Sequence, residues 1–388
     1  MQNIIILGLV SFFIDIGTEM IYPLIPLYLT GVLGVSTVFL GVIEGIAESL
    51  ASLMRIYSGH MSDKYKKSKP FAFIGYGSSI VYKIILLVST SWVGVMFARI
   101  IDRFGKGMRT SPRDSLIAKS SSKEKLGKSF GIHKMLDMLG SSIGIFVAYL
   151  VMLNSNGNDS YRKIFIISIV PAIIGVFLIK FIKEHKQKEE IKEEKLIKFK
   201  FSKLDKRLKG FLIVTFLFTL GNSSNTFLLL KAGNIGFDSV SVILLYFIYT
   251  FSGALLALPV GGLSDKIGRR KLLVLGYAIF GVVYFGFALT TNKAMVVGLF
   301  ILYGIYTALT VGVERALISE ISHKSLKGTV LGLHSALVGI ALLPASIIAG
   351  LLWEYLGPAS PFFFGGTLSC IAAIALFFIL RKPIYHHD

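Results

Sequence analysis

Charge and cysteine are both scarce in this chain. Its 388 residues include one cysteine, Cys370, which leaves no internal disulfide framework and the redox compartment open. Only 16% of the side chains are charged and 54% are hydrophobic, whereas a soluble domain carries roughly 25% charged residues. That shortage excludes an ordinary water-soluble globule. Signatures of chemistry are missing as well. No glycine-rich loop ends in Lys-Ser/Thr to cradle a phosphate, so ATP is not the expected energy source. The stretch "GLHSALVG" (332–339) lacks the nucleophile-elbow spacing, and no CxxC or HExxH zinc pattern occurs. Neither an enzyme nor a bound cofactor is expected.

Long apolar runs fill the space that charge leaves. A helix needs about 20 mostly apolar residues to cross the hydrocarbon core. Roughly twelve such windows succeed one another, near 4–29, 38–58, 70–88, 91–111, 129–152, 162–182, 210–230, 238–260, 271–289, 294–318, 329–352 and 360–380. The first starts close to Met1 with no basic leader or small-residue cleavage site, and reads as a retained helix rather than a signal peptide.

The 41 Lys and Arg against 22 Asp and Glu give a net charge of +19. These basic residues gather in alternate loops: "DKYKKSK" (63–69), "KSSSKEKLGK" (119–128), the segment 183–209, "DKIGRRK" (265–271) and the tail "RKP" (381–383). The intervening loops hold little beyond Arg162, Lys163, Lys231 and Lys293. Such a bias is the positive-inside asymmetry, which predicts an even number of spans with both termini cytoplasmic in the cell membrane. Nucleic acid is not needed to explain the charge, and the expected surroundings are the lipid bilayer.

The fold class that follows is an all-α membrane protein of twelve transmembrane helices. Residues 183–209 carry dense charge of both signs and cannot span, so they divide a six-helix bundle at 1–182 from a second at 210–388. The two halves repeat. "GHMSDKYKK" (59–67) falls on "GGLSDKIGR" (261–269), and "LGKSFGIH" (126–133) on "KGTVLGLH" (327–334), which pairs His133 with His334. Two copies of six spans share an orientation, so they are related by a pseudo-two-fold axis along the membrane normal, with a central site expected between them.

This chain resembles the major facilitator superfamily. The resemblance rests on the twelve spans, the charged central segment and a loop signature, Gly-x-x-x-Asp-Arg/Lys-x-Gly-Arg/Lys-Arg/Lys, found after spans two and eight. The second copy is Gly261, Asp265, Lys266, Gly268, Arg269 and Arg270; the first has Gly59, Asp63 and Lys64 but places Lys66 where the second glycine is usual. What the resemblance implies is a transporter acting on a small molecule, expected to work as a monomer. It also implies a latch in which Gly59, Asp63, Gly261, Asp265 and Arg269 gate the cycle, with Arg113 and Arg315 as partners at the inner ends of spans four and ten. A plainer reading has those charges anchoring loops to anionic headgroups.

Charge inside a bilayer is expensive and is kept only where it meets a partner or water. Asp15 and Glu19, four residues apart in "FIDIGTEMIYP" (13–23), project from one helical face, as do Glu44, Glu48 and Arg55 in span two. Span four carries a stripe of Arg99, Asp102, Arg103, Lys106, Arg109 and Arg113, and span five adds His133 and Asp137. By the family resemblance spans one and four flank the central cavity, which would bring Asp15 and Glu19 to Arg103 or Arg99. Repulsion between the two carboxylates, opposed by a facing arginine, makes a proton-binding switch. We therefore expect Asp15, Glu19, Glu48, Asp102, His133 and Asp137 in proton coupling. Arg99, Arg103, Lys106, Asn222, Ser223, Asn225 and His334 are expected to bind solute, with Asn222, Ser223 and Asn225 giving neutral recognition in the second half. Glu44, Glu48 and Arg55 read equally as a static ion-pair set, and Lys83 is expected to snorkel outward.

The function read from this pattern is a proton-coupled secondary active transporter of a small organic, amphipathic or anionic solute, working by alternating access. Efflux is favoured over uptake by its frequency in the family. Two alternatives stay open: a carrier of divalent metal cations, for which the acids and histidines would supply ligands, and a transport-inactive membrane receptor or scaffold.

Overall fold

Backbone polar groups inside hydrocarbon have to be satisfied within the segment, so apolar runs of this length fold as helices. The computed structural model describes residues 2–65, 67–121, 126–154, 159–184, 205–321 and 327–379, and among them helices and short connections are all that occur. In chain order they are α1 (Gln2–Ile21), α2 (Thr37–Lys64), α3 (Lys69–Val88), α4 (Trp92–Lys119), α5 (Leu126–Leu153), α6 (Asp159–Leu178) and α7 (Lys206–Gly221). Then follow α8 (Thr226–Asn234), α9 (Ser239–Ile267), α10 (Arg269–Leu289), α11 (Lys293–Ile321), α12 (Lys327–Leu356) and α13 (Ser360–Ile379). Beyond Pro23, α1 continues as a short helix, Leu24–Leu27, and a wider π turn, Tyr28–Val32. With α7 and α8 taken together as Lys206–Asn234, eleven stretches are long and apolar enough to cross a membrane. The remaining one, α4, is 28 residues long, about 42 Å at 1.5 Å per residue. Its charge, not its length, separates it from the others.

Two breaks follow from local chemistry. Asn222, Ser223, Ser224 and Asn225 part α7 from α8, since side chains of this kind compete with the helix for backbone groups. The freed amides are still used: Asn222 N donates to Phe218 O at 3.0 Å, and Phe227 N to Ser224 O at 3.1 Å. Between α9 and α10 the single residue Gly268 turns the chain with φ 93°, a backbone region that other side chains rarely adopt. This is the second glycine of the loop signature; its counterpart, Lys66, lies outside the described residues.

Packing within the first half recurs in the second. α1 lies on α5 and α6, α4 on α2 and α3, and α3 on α6. The matching pairs follow: α7 on α12 and α13, α11 on α9 and α10, and α10 on α13. Between the halves, α2 packs along α12 and α5 along α9. Glycine makes the first of these seams tight. A Cβ on Gly41 would collide with the Ser346 carbonyl, and one on Gly350 would come within 2.6 Å of Thr37 O. Outward, α3 exposes Phe73, Ile74, Val81, Ile84 and Val88, and α6 exposes Val170, Ile173 and Phe177. Such apolar faces suit lipid, and the polar residues turn inward.

Candidate functional site

The charges of α4 repeat at three- and four-residue spacing, which gathers them on one face of the helix. That face is buried: Arg99, Asp102 and Arg103 are each 2% exposed, and Glu44 opposite them not at all. Arg99 grips Glu44 with two bonds, Nε to Oε1 at 2.9 Å and NH2 to Oε2 at 2.8 Å. Its third arm reaches Asp102 Oδ2 at 3.3 Å. Arg103 pairs with Glu48 Oε1 at 3.1 Å and with Asp102 Oδ2 at 3.1 Å. Tyr22 covers both guanidiniums, its ring centre 5.2 Å from Arg99 and 5.4 Å from Arg103. Two-pronged contacts of this kind are how a membrane interior tolerates arginine.

The acids of α1 meet different partners from those expected. Asp15 Oδ1 accepts from Arg109 NH2 at 3.4 Å, and the carboxyl of Asp137 faces it from α5. Among the described residues Glu19 forms no ion pair; its Oε2 accepts from Tyr246 OH, of the second half, at 3.5 Å. Arg103 and Lys106 are the cations that act on it through space. The expected pairing of Asp15 and Glu19 with Arg99 or Arg103 is thus replaced by Glu44 and Glu48. The reason lies in packing: α2 runs along α4, whereas α1 packs chiefly on α5 and α6 and touches α4 lightly, near Arg109. Half-buried Lys106 has no ion-pair partner among the described residues.

Around this cluster the remaining sites fall into place. His133 Nε2 and Tyr76 OH each sit 2.9 Å from Ser11 Oγ, and the Tyr76 ring lies under Arg109 at 5.1 Å. Asp137 accepts from Lys134 Nζ at 2.7 Å. Lys83 does not snorkel. Fully buried, its Nζ donates to Ser79 Oγ at 2.8 Å, Ser79 O at 3.2 Å and Thr18 Oγ1 at 3.4 Å. Gly17 leaves the room, since a Cβ there would come within 3.0 Å of Lys83 Cε. Arg55 stands apart from Glu44 and Glu48, its carbonyl accepting from Ser111 Oγ at 2.9 Å.

The second half answers with neutral groups. Asn222 Nδ2 donates to Tyr306 OH at 3.0 Å; Asn225 accepts from Tyr303 OH at 2.7 Å and donates to Tyr249 OH at 3.4 Å. Ser224 Oγ donates to Glu44 Oε2 at 3.1 Å, joining the α7–α8 break to the ion cluster. Ser223 is buried beside them. His334 lies elsewhere, 3.7 Å from Glu314. The sequence reading missed Glu44 as the acid of Arg99, Tyr22 as its cover, and these tyrosines. A signal existed for the last: Tyr246 with Tyr249 and Tyr303 with Tyr306 are spaced by three, one helical face each.

For the expected latch, Gly59 packs against Ser111 of α4, and Arg113 NH2 pairs with its neighbour Asp114 at 2.9 Å. Arg269 NH1 donates to Ala316 O at 3.1 Å, and Arg315 faces Arg55 through space. Asp63, Gly261 and Asp265 fall within α2 and α9, with their side-chain surroundings outside the described residues. Among the described residues no three His, Cys, Asp or Glu side chains gather as metal ligands would.

A family model for the Major Facilitator Superfamily matches residues 7–232 and 211–387. The chain belongs to the Major Facilitator Superfamily. An uncharacterised MFS-type transporter of Methanocaldococcus jannaschii is 35% identical over 384 residues, 97% of this chain and 95% of that protein. A quinolone resistance protein of Staphylococcus aureus, NorA, is 27% identical over 126 residues, 32% of each chain. Among solved structures, a POT family transporter in complex with 5-aminolevulinic acid superposes with a TM-score of 0.80 at 12% identity, over 97% of this chain and 96% of that one. At such identity the likeness concerns the superfamily fold. As a superfamily member the protein is a multi-pass membrane transporter, not an enzyme.

Proposed function

We propose that this transporter is a proton-coupled carrier of a small organic solute, anionic or amphipathic, alternating between two six-helix bundles. Those bundles are residues 1–182 and 210–388, joined by the charged segment 183–209. The five helix pairings that recur from one half to the other support a pseudo-two-fold relation. Combined with the positive-inside bias, it supports cytoplasmic termini and a central passage between halves.

The observation that carries the reading is the position of Asp15. It has two competing partners, Arg109 of α4 and the carboxyl of Asp137 on α5. Two carboxyls share a hydrogen bond only with a proton between them, while an ionised Asp15 prefers the guanidinium. Proton uptake therefore moves Asp15 from an α4 partner to an α5 partner, and release moves it back. Such a change of helix partner is a bistable contact able to bias the whole bundle.

Glu19, Lys106 and Tyr246 meet where the halves face each other, so solute charge is read by Lys106 and Glu19. The solute body lies against Tyr249, Tyr303, Tyr306 and the two asparagines. Contacts across the halves gather at the end away from Lys64 and Lys119, where Thr37 N and Oγ1 donate to Glu354 Oε2 at 3.2 and 2.6 Å. With the termini inside, this conformer is closed on the external face. The part-length likeness to a drug-resistance protein favours efflux over uptake.

Proteoliposomes with an imposed pH gradient, screened against aromatic acids, amphipathic drugs and divalent cations, test the proposal. The intact protein should move at least one organic solute with the gradient, while Asp15→Asn retains gradient-free exchange but loses gradient-driven flux. Gradient-driven flux that survives in Asp15→Asn defeats it.

A further inference from the structure

One buried acid has no part in that scheme. Glu314 of α11 accepts at Oε1 from Tyr277 OH of α10 at 3.0 Å, and its Oε2 lies 3.7 Å from His334 Nε2 of α12. Both side chains are largely enclosed, 15% and 12% exposed. Among the described residues His334 Nε2, itself buried, has no hydrogen-bond partner, and its ring stacks on Phe211 of α7 with planes 10° apart. A bare carboxylate in a bilayer is costly, and a bare imidazole nitrogen aimed at it is unsatisfied. One proton settles both.

The other groups around the pair do not do so. From α7 come Phe211, Phe218 and Thr215, all uncharged. Tyr306 stands two turns earlier on α11 with Tyr249 of α9 beyond it. The neighbouring Arg315, exposed, acts through space on both Glu314 and His334 and faces Arg55 of α2, while Arg269 of α10 is engaged with the Ala316 carbonyl.

We propose that Glu314, with His334 and Tyr277, is a second exchangeable-proton site, placed in the second half of the chain. With the proton on Oε2, acid and imidazole are both neutral. Passed to Nε2, it leaves a carboxylate and an imidazolium, neutral as a pair. Released to water, it leaves one negative charge met by the Tyr277 hydroxyl and, through space, by Arg315, which the membrane penalises until the pair meets solvent. Loading and release are thereby tied to movement of α12 against α7 and α11. The site stands independently of Asp15, so each can fail without the other.

Infrared difference spectra of the purified protein in lipid bilayers, recorded across a pH titration without solute, decide the matter. Glu314→Gln should remove one titrating carbonyl band of a protonated carboxyl group, a band that persists in the Asp15→Asn, Asp137→Asn double variant. Tyr277→Phe should shift its frequency and His334→Gln its midpoint. If Glu314→Gln does not fold, the intact protein labelled with isotopic histidine should show an imidazole signal titrating together with that band. A spectrum unchanged by Glu314→Gln, a midpoint unmoved by His334→Gln, or an imidazole that titrates apart from the carboxyl overturns the proposal.

Discussion

Residues 2–181 build their polar interior from ions; residues 206–379, apart from the Glu314–His334 pair, build theirs chiefly from hydroxyls, amides and rings. In the first half five acids and five bases, from Asp15 to Arg109, lie within one connected region and all but Lys83, Lys106 and Glu19 hold an ion pair. In the second half the same depth holds Asn222, Asn225 and the tyrosines that bond them. Although the helices pair alike, the chemistry does not. The difference teaches that a recurring packing framework leaves each half free to specialise. Ions respond to a proton at long range, whereas neutral donors and rings hold a solute body without being changed by pH.

Breaking the ionic side should have the largest effect. Arg99→Ala leaves Glu44 fully buried and charged, a loss of about 3–5 kcal/mol for a severed buried pair. We expect little folded protein, measured by detergent-solubilised yield and thermal stability. The double variant Arg99→Leu, Glu44→Leu should recover much of it, and equal loss in both would deny that the pair is what matters.

Next comes the neutral side. Tyr303→Phe removes one hydrogen bond to Asn225, worth about 1 kcal/mol, so solute affinity should fall roughly fivefold with the pH dependence of flux unchanged. A shifted pH profile in Tyr303→Phe would blur the contrast between the halves.

Smaller still is the seam. Glu354→Gln weakens the trans cap on α2, again by about 1 kcal/mol at most. Spin labels at Ser36→Cys and Pro358→Cys, in a Cys370→Ser background, should report a larger share of separated ends. Unaltered distance distributions would mean that the glycine-lined α2–α12 seam alone keeps that end shut. The least effect is expected from Lys83→Met. Its amine rests on neutral oxygens and the Tyr82 ring, with no ion pair among the described residues, so replacing it by an apolar chain of similar length should leave thermal stability within about 1 kcal/mol. A collapse in stability would show that Lys83 counts among the functional ions.

Much of this was legible beforehand. The bilayer, the spans, the α4 stripe and the acids of α1 all declare themselves, because hydrocarbon punishes any charge without a reason to be there. The polar run "GNSSN" stands out within span seven, but the sequence reading keeps 210–230 as one span and does not expect the α7–α8 break. Partners were not legible. Asp15 meets Arg109 rather than Arg103 because α1 crosses α4 at one place only, and no periodicity encodes where two helices cross. Lys83 looked outward-reaching for the same reason: its neutral acceptors Ser79 and Thr18 are unremarkable residues until folding sets them around one amine.

What the sequence determined on its own is the solvent, the helices and the face on which each helix keeps its polar groups. These follow from local rules, chiefly the cost of burying an unpaired ion and the 3.6-residue turn. Only the tertiary structure decided which ion meets which. A slip of one helical turn, about 5.4 Å, is invisible in either helix alone yet exchanges every partner along the seam.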